Sequence, residues 1–201
     1  YRDFEIVTLA KYFLLPCYPA SRELCTVGGM VANNAGGEKS LAYGKTNRYI
    51  KRLKAVLSDG NEYILEPLAQ DGLFRKMQQE NFEGKLYRDL YSLLETNYDL
   101  IQKSKPDVSK DSTGYALWNV WDRKIFDLTQ LFAGSQGTLG IISEITFSLV
   151  RPHPYSKLLV IFLHDIKHLS EITNTILAYK PESFESYDDH TLKLAIKYFP
   201  E

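Results

Sequence analysis

The chain has 201 residues, 44% hydrophobic and 24% charged, with a formal net charge of −1. That composition excludes disorder and supplies enough apolar side chains for a real core. The near-neutral balance gives no basis for nucleic acid as a partner, and no run approaches the roughly 18 apolar residues of a membrane span. We expect no secretory leader, lipidation motif, low-complexity tract or internal repeat. Cys17 and Cys25 read as two reduced thiols of a cytoplasmic protein, or one peripheral to the membrane as part of a longer chain. The opening on Tyr1, directly into an apolar-rich stretch, reads as a piece of something longer.

Residues 4–15 carry apolar side chains at 6, 9, 10, 13 and 14, a helical spacing, before Pro16 and Pro19 force an extended path. A short helix is expected from about Gly28 to Asn33, with Thr26 as N-cap and its free N–H groups offering an anion site. Asp59-Gly60 marks the turn of a hairpin over Arg52 to Leu65. Lys85 to Ile101 places Leu86, Leu90, Leu93, Leu94 and Ile101 on one helical face. Ser104 to Asn119 reads as a loop leading to a short helix, and Asp127 to Phe132 as another helix. Beyond Ile141, alternation of Ile145, Phe147 and Leu149 with Glu144, Thr146 and Ser148 describes a half-buried strand. Arg151-Pro152-His153-Pro154 is the expected boundary. After it come a strand over Lys157 to Leu163, a helix capped by Asp165 with Ile166, Leu169, Ile172 and Ile176 inward, a strand over Ser183 to Tyr187, and a helix from Thr191.

Glycine is concentrated. Five of the twelve lie within Ser21–Gly44 and three more within Gly134–Gly140. Lacking Cβ, glycine reaches positive φ and lets backbone N–H groups approach a ligand closely, as a cradle for an anionic or flat polar cofactor requires. Two tight turns with a close helix–strand contact account for the same residues equally well. Gly44-Lys45-Thr46 is no phosphate loop, because Lys39 stands where the pattern needs glycine. Gly134, Gly137 and Gly140 lack the GxG of a Rossmann turn and precede a strand instead of a helix. His164 and His168 read as solvated side chains, with no metal site, and Tyr115, Trp118 and Trp121 as packing aromatics.

Taken together, the glycine blocks are specific. Pro19-Ala20-Ser21, Cys25 to Gly37 (CTVGGMVANNAGG) and Tyr43-Gly44 resemble the FAD-binding domain of the vanillyl-alcohol oxidase type. The closest likeness is to the FAD-linked D-2-hydroxyacid dehydrogenases, which include D-lactate dehydrogenases and the glycolate oxidase FAD subunit. Lys110 to Leu117 (KDSTGYAL) and Leu131 to Ile142 (LFAGSQGTLGII) look like the group's next two blocks.

That resemblance implies an α+β fold. Residues 1–152 would form the second FAD-binding subdomain, a mixed or antiparallel sheet flanked by helices, without the N-terminal subdomain. Residues 155–201 would begin an α+β substrate (cap) domain. By position, Ala20 to Thr26 (with Ser21, Cys25 and Thr26) would wrap flavin and pyrophosphate, Val27, Gly28 and Gly29 would also bind the cofactor, and Asn33, Asn34, Ala35 and Gly36 would line the same groove. Gln136, Gly137, Thr138, Gly140, Ile141 and Ile142 would lie along the isoalloxazine; Gln136 departs from the family's usual Glu. The parent would oxidise a small D-2-hydroxy acid of lactate or glycolate type, with hydride passing to flavin N5 and the catalytic base and metal ligands outside this chain. The alternatives are a non-catalytic fragment with little FAD affinity, self-associating through exposed apolar surface, and a flavin-dependent alkyl transfer like that of ether-lipid synthases.

Overall fold

The computed structural model describes residues 1–108, 111–112 and 114–199. Helix α1 (Arg2–Leu9) comes first, and α2 (Val27–Ala32) and α3 (Ser40–Tyr43) lie within the first glycine stretch. A 3-10 turn, Thr46–Tyr49, leads into β1 (Ile50–Val56), followed by β2 (Glu62–Leu65), β3 (Leu68–Ala69) and α4 (Gln70–Met77). Then come α5 (Phe82–Thr96), α6 (Tyr98–Lys103), β4 (Ile125–Phe126), α7 (Thr129–Phe132) and β5 (Ile141–Phe147). Helices α8 (Leu169–Leu177) and α9 (Asp189–Tyr198) complete the order. This is an α+β fold.

Its centre is an antiparallel sheet of order β2-β1-β5. The middle strand β1 sends Leu53 and Ala55, both fully buried, into the main core. There they meet Tyr87 and Leu94 of α5, Leu73 of α4, Phe126 of β4 and the α7 residues Leu131 and Phe132. A register shift in the β1–β5 ladder between Lys54 and Ala55 interrupts the simple alternation along β5. Half-buried Ile142 and Ile145 therefore both pack against the core. A second, smaller core joins Tyr1, Leu14, Leu15, Cys17, Tyr18, Met30 and Tyr49, and Phe147 touches both cores. Cys17 and Cys25 are free thiols.

The hairpin, the Thr26-capped helix and the strand after Ile141 form as expected. Helix α1 does not present the expected face. It ends at Leu9, the turn through Tyr12 (φ 59°) breaks the helix, and Leu14 bridges to Val150. Ile6 and Val7 are exposed, while Tyr1, Phe4, Glu5 and Thr8 face inward. That stripe has the i, i+3, i+4, i+7 spacing, and it wins because the aromatic rings of Tyr1 and Phe4 dock on Tyr18 and Phe147. The buried Glu5 carboxylate is paired with Arg2 at 2.5 Å.

The long helix expected over Lys85–Ile101 is broken at Asn97 into α5 and α6. It also starts earlier, at Phe82, where Asn81 Oδ1 accepts the Gly84 amide at 2.9 Å.

The expected strands over Lys157–Leu163 and Ser183–Tyr187 are not present. Both stretches are irregular, and neither makes a backbone hydrogen bond among the described residues. A strand exists only through its ladder with a neighbour, and none is beside them. Helix α8 does turn Leu169, Ile172 and Ile176 to its half-buried side, although it begins at Leu169 and not at Asp165.

Candidate functional site

The two glycine stretches are bonded to each other. Thr26, extended at φ −85°, accepts the Gly29 amide on its hydroxyl at 3.0 Å and so starts α2. At the other end of this short helix, Val31 O accepts the Gly134 amide at 3.0 Å and Ala32 O accepts the Gln136 amide at 2.8 Å. Carbonyls at the end of α2 are thus the acceptors for the second glycine-rich turn. Asn34 and Gln136 both occupy the left-handed region, at φ 45° and 54°. Buried Asn34 closes the joint, its Oδ1 accepting the Asn47 amide at 3.0 Å.

The glycines divide into two kinds. A Cβ on Gly37 would lie 2.2 Å from Tyr18 O, and one on Gly140 would lie 2.5 Å from Val56 O. At Gly36 it would meet the Ser40 hydroxyl at 2.4 Å, so these three let backbone or turn pack closely. Gly28 and Gly137 have nothing within 4 Å of the same point. Among the described residues no packing requires glycine at Gly28, and Gly137 has a φ of +78°, which favours glycine.

Gly28 opens on a cavity of about 300 Å³ lined by Phe4, Val27, Gly28, Ile142, Ser143, Glu144, Ile145 and Phe147. Of the residues expected at the site, the cavity gathers Val27, Gly28 and Ile142. The amides of Val27 and Gly28 have no protein acceptor among the described residues. Ile141 is 72% exposed and is not among the residues that line the cavity. Ala20 and Ser21 sit in an exposed turn whose Ser21 carbonyl accepts the Leu24 and Cys25 amides. The segment that follows them is tied to α1, through Arg2–Glu23 at 3.0 Å and the Tyr1 amino group on Cys25 O at 2.8 Å. Exposed Asn33 caps the end of α2, and Ala35 O accepts both the amide and the hydroxyl of Thr46.

The Thr138 hydroxyl is committed: it donates to Ser135 O at 2.6 Å, and therefore accepts the Tyr115 hydroxyl at 2.6 Å. Tyr115 thus bridges to the second glycine turn and is no core residue, whereas Trp121 is buried as expected. Lys110 and Thr113 of the KDSTGYAL block lie outside the described residues.

Phe4, Ser143, Glu144, Ile145 and Phe147 were not legible as cavity residues. The β1–β5 pairing places the four β5 residues, and the docking of α1 on Phe147 adds Phe4. That pairing also sets Glu144 across from β1, where Lys54 at 2.8 Å and Arg52 at 3.0 Å neutralise it. The Lys54 ammonium holds the Glu144 carboxyl below the usual range against the opposing effect of burial, with a lesser contribution from Arg52.

The lining, apolar walls with a few polar edges, suits a flat ring carrying polar groups. The bare backbone at Gly28 leaves room for close approach, so the residues present fit part of an FAD. Residues 2–65 match a protein family described as FAD binding domain. Residues 2–65 belong to that FAD-binding family. The D-2-hydroxyglutarate dehydrogenase of Pseudomonas putida is 30% identical over 173 residues, 86% of this chain and 17% of that protein. The Escherichia coli protein of the same name is 32% identical over 142 residues, 70% of this chain and 14% of its own length. The glycolate oxidase subunit GlcD of Bacillus subtilis is 29% identical over 185 residues, 91% of this chain and 29% of that protein. The chain therefore spans a minor part of the length of these relatives. No helix among its described residues is long and apolar enough to cross a membrane.

Proposed function

We propose that this chain is part of an FAD-linked oxidoreductase that oxidises a small 2-hydroxy acid, in a reducing compartment compatible with its two free thiols. Relatives named for D-2-hydroxyglutarate and for glycolate support that substrate class, with the D isomer indicated by the first name. Bound FAD would supply the two-electron acceptor, taking hydride from the hydroxyl-bearing carbon.

The residues of this chain bind and orient. Val27 and Gly28 offer unpaired amides beside the cavity, Ile142 and Ile145 provide an apolar wall, and the 134–140 turn holds the end of α2. Residues 1–152 form the cofactor-binding part, and residues 155–201 the beginning of a substrate domain. We assign the base that takes the hydroxyl proton to a group outside this chain. A cavity of about 300 Å³ is at the low end of ligand sites, roughly 300–1,000 Å³, so the isolated chain should hold FAD weakly.

The observation that carries the assignment is Gly28, open to the cavity yet required by nothing in the fold. Gly28→Ala should leave the fold intact or stabilise it by about 1 kcal/mol, since alanine is the better helix former. It should nevertheless weaken FAD binding at least several-fold. Flavin-fluorescence titration beside thermal melts measures both, and unchanged FAD affinity would remove this site from the cofactor.

A further inference from the structure

A second cavity, of about 440 Å³, is larger than the one at Gly28 and shares no residue with it. Its walls come from the 3-10 turn Thr46–Tyr49, the start of β1, a further 3-10 turn at Leu117–Asn119, the loop around Asp122, and α7. These segments pack on the main core through Ile50, Val120, Phe126 and Leu131. All the lining residues fall between 47 and 130, so neither α1 nor the stretch after Pro154 contributes a wall. The size lies within the roughly 300–1,000 Å³ of ligand sites.

The polar groups around this cavity divide into those already bonded and those left over. Gln130 accepts Asn47 Nδ2 at 3.1 Å and donates to Asn47 O at 3.2 Å. Asp127 accepts the Thr129 amide and hydroxyl on Oδ1 and Gln130 on Oδ2, so both its oxygens are occupied. Asp122 is different. Its Oδ1 accepts the Lys124 and Ile125 amides at 2.8 and 2.7 Å, while its Oδ2 has no hydrogen bond among the described residues. Those amides, Ile125 first, hold the carboxyl below the usual range, so it is ionised at neutral pH. Arg48 also lines the cavity, and its guanidinium has neither a hydrogen bond nor an ion pair among the described residues.

Opposite charges thus share one cavity without pairing, although arginine forks readily onto a carboxylate. The turn that carries Arg48 holds it apart. Gly44 has φ +75°, and a Cβ there would lie 2.6 Å from Arg48 Cδ and Nε and 2.7 Å from Cζ, so glycine lets the side chain rest against the backbone. Thr46 on Ala35 O and the Asn47 amide on Asn34 Oδ1 fix the turn. A ligand that satisfies both leftover charges must itself carry an anion and a cation. Half-buried Trp118 and buried Ile50 add an apolar wall. We propose that this cavity binds a small zwitterion of the α-amino-acid type, its carboxylate on Arg48, its ammonium on Asp122 Oδ2 and its side chain against Trp118. Both contacts are charge-assisted hydrogen bonds, and an ion of one sign would meet a like charge in the same cavity.

The test is titration of the 201-residue chain with L-leucine, with N-acetyl-L-leucine, which keeps only the carboxylate, and with L-leucinamide, which keeps only the ammonium. Tryptophan emission reports binding, because Trp118 is the half-buried one of the two tryptophans and Trp121 is buried on Glu95. Leucine should bind about tenfold more tightly than either analogue. Arg48→Gln should abolish the preference over leucinamide, and Asp122→Asn the preference over N-acetyl-leucine. Asparagine keeps the Oδ1 that accepts the two loop amides. Each variant should still bind the analogue that does not use the lost charge, which a misfolded chain could not do. A chain that binds no leucine, binds all three compounds equally, or keeps both preferences in the two variants would overturn the proposal. The titrations are run without FAD, so failure here leaves the cofactor assignment at Gly28 untouched.

Discussion

At the scale of single residues, Tyr87 is the side chain most at odds with its surroundings. It is 1% exposed in the main core, packed on Phe126, and its hydroxyl has no hydrogen-bond partner among the described residues. Burial, with the Glu83 charge adding to it, pushes the phenol far above its usual range, so it stays protonated at any working pH. A buried donor left unpaired costs about 1–3 kcal/mol, whereas the ring contributes its packing in full. Tyr87→Phe should therefore raise stability by about 1 kcal/mol, read as a higher urea midpoint at constant m-value. A loss of stability would reveal a partner for the hydroxyl. The glycines separate in the same way: Gly37 and Gly140 allow close backbone packing, and a Cβ at Gly28 would meet no atom within 4 Å.

At the scale of elements, one carboxylate ties α5 to the strand-poor segment that follows α6. Glu95 accepts Trp121 Nε1 at 2.8 Å and the Arg123 guanidinium at 2.7 Å. Arg123 first, and then the Trp121 indole, hold the Glu95 carboxyl below the usual carboxylate range. A carboxyl depressed in the folded state contributes stability that is fully present above its unfolded pKa. That contribution is lost as pH falls through the folded value. Glu95→Gln should lower the melting temperature at neutral pH, and the difference from the parent chain should shrink below about pH 4. Melts recorded across that range check it; a difference that persists in acid would mean that the glutamine lost packing and not charge. Helix α1 shows how an element's orientation escapes a count of apolar residues. Two aromatic rings four residues from end to end outweighed Ile6, Val7 and Leu9, and a buried Glu5 found its cation on the preceding turn.

At the scale of the whole molecule, the C-terminal stretch is held to the first glycine stretch by a cluster around Glu182. Its carboxylate accepts the Tyr43 hydroxyl at 2.9 Å, and lies 3.1 Å from Lys39 Nζ and 3.7 Å from His153 Nε2. Burial alone would raise Glu182, but the Tyr43 hydroxyl and the Lys39 and His153 charges outweigh it and keep the carboxyl low. Tyr43 and Lys39 flank the end of the first glycine stretch, so this clasp joins that stretch to the segment after Pro154. Glu182→Gln should speed proteolytic cleavage between residues 155 and 181 without changing the rate within residues 50–147. Limited proteolysis followed by mass spectrometry measures this, and equal rates would mean that other contacts hold the stretch.

Much of this protein was set locally and is legible in the sequence. Thr26 and the glycines after it fix a capped turn of helix, Asp59-Gly60 fixes the hairpin, and the order of glycine blocks points to an FAD-binding domain. These features depend on neighbours a few residues apart, so backbone sterics and capping decide them. Tertiary structure alone decided the rest. It brought Gly134 and Gln136 onto the carbonyls of α2, turned Phe4, Glu144 and Phe147 into one cavity with Gly28, and left the apolar run at 158–163 without a ladder. Each of those outcomes depends on contacts between residues far apart in the chain, and hydrophobic spacing alone does not say which distant surface will be there to meet them.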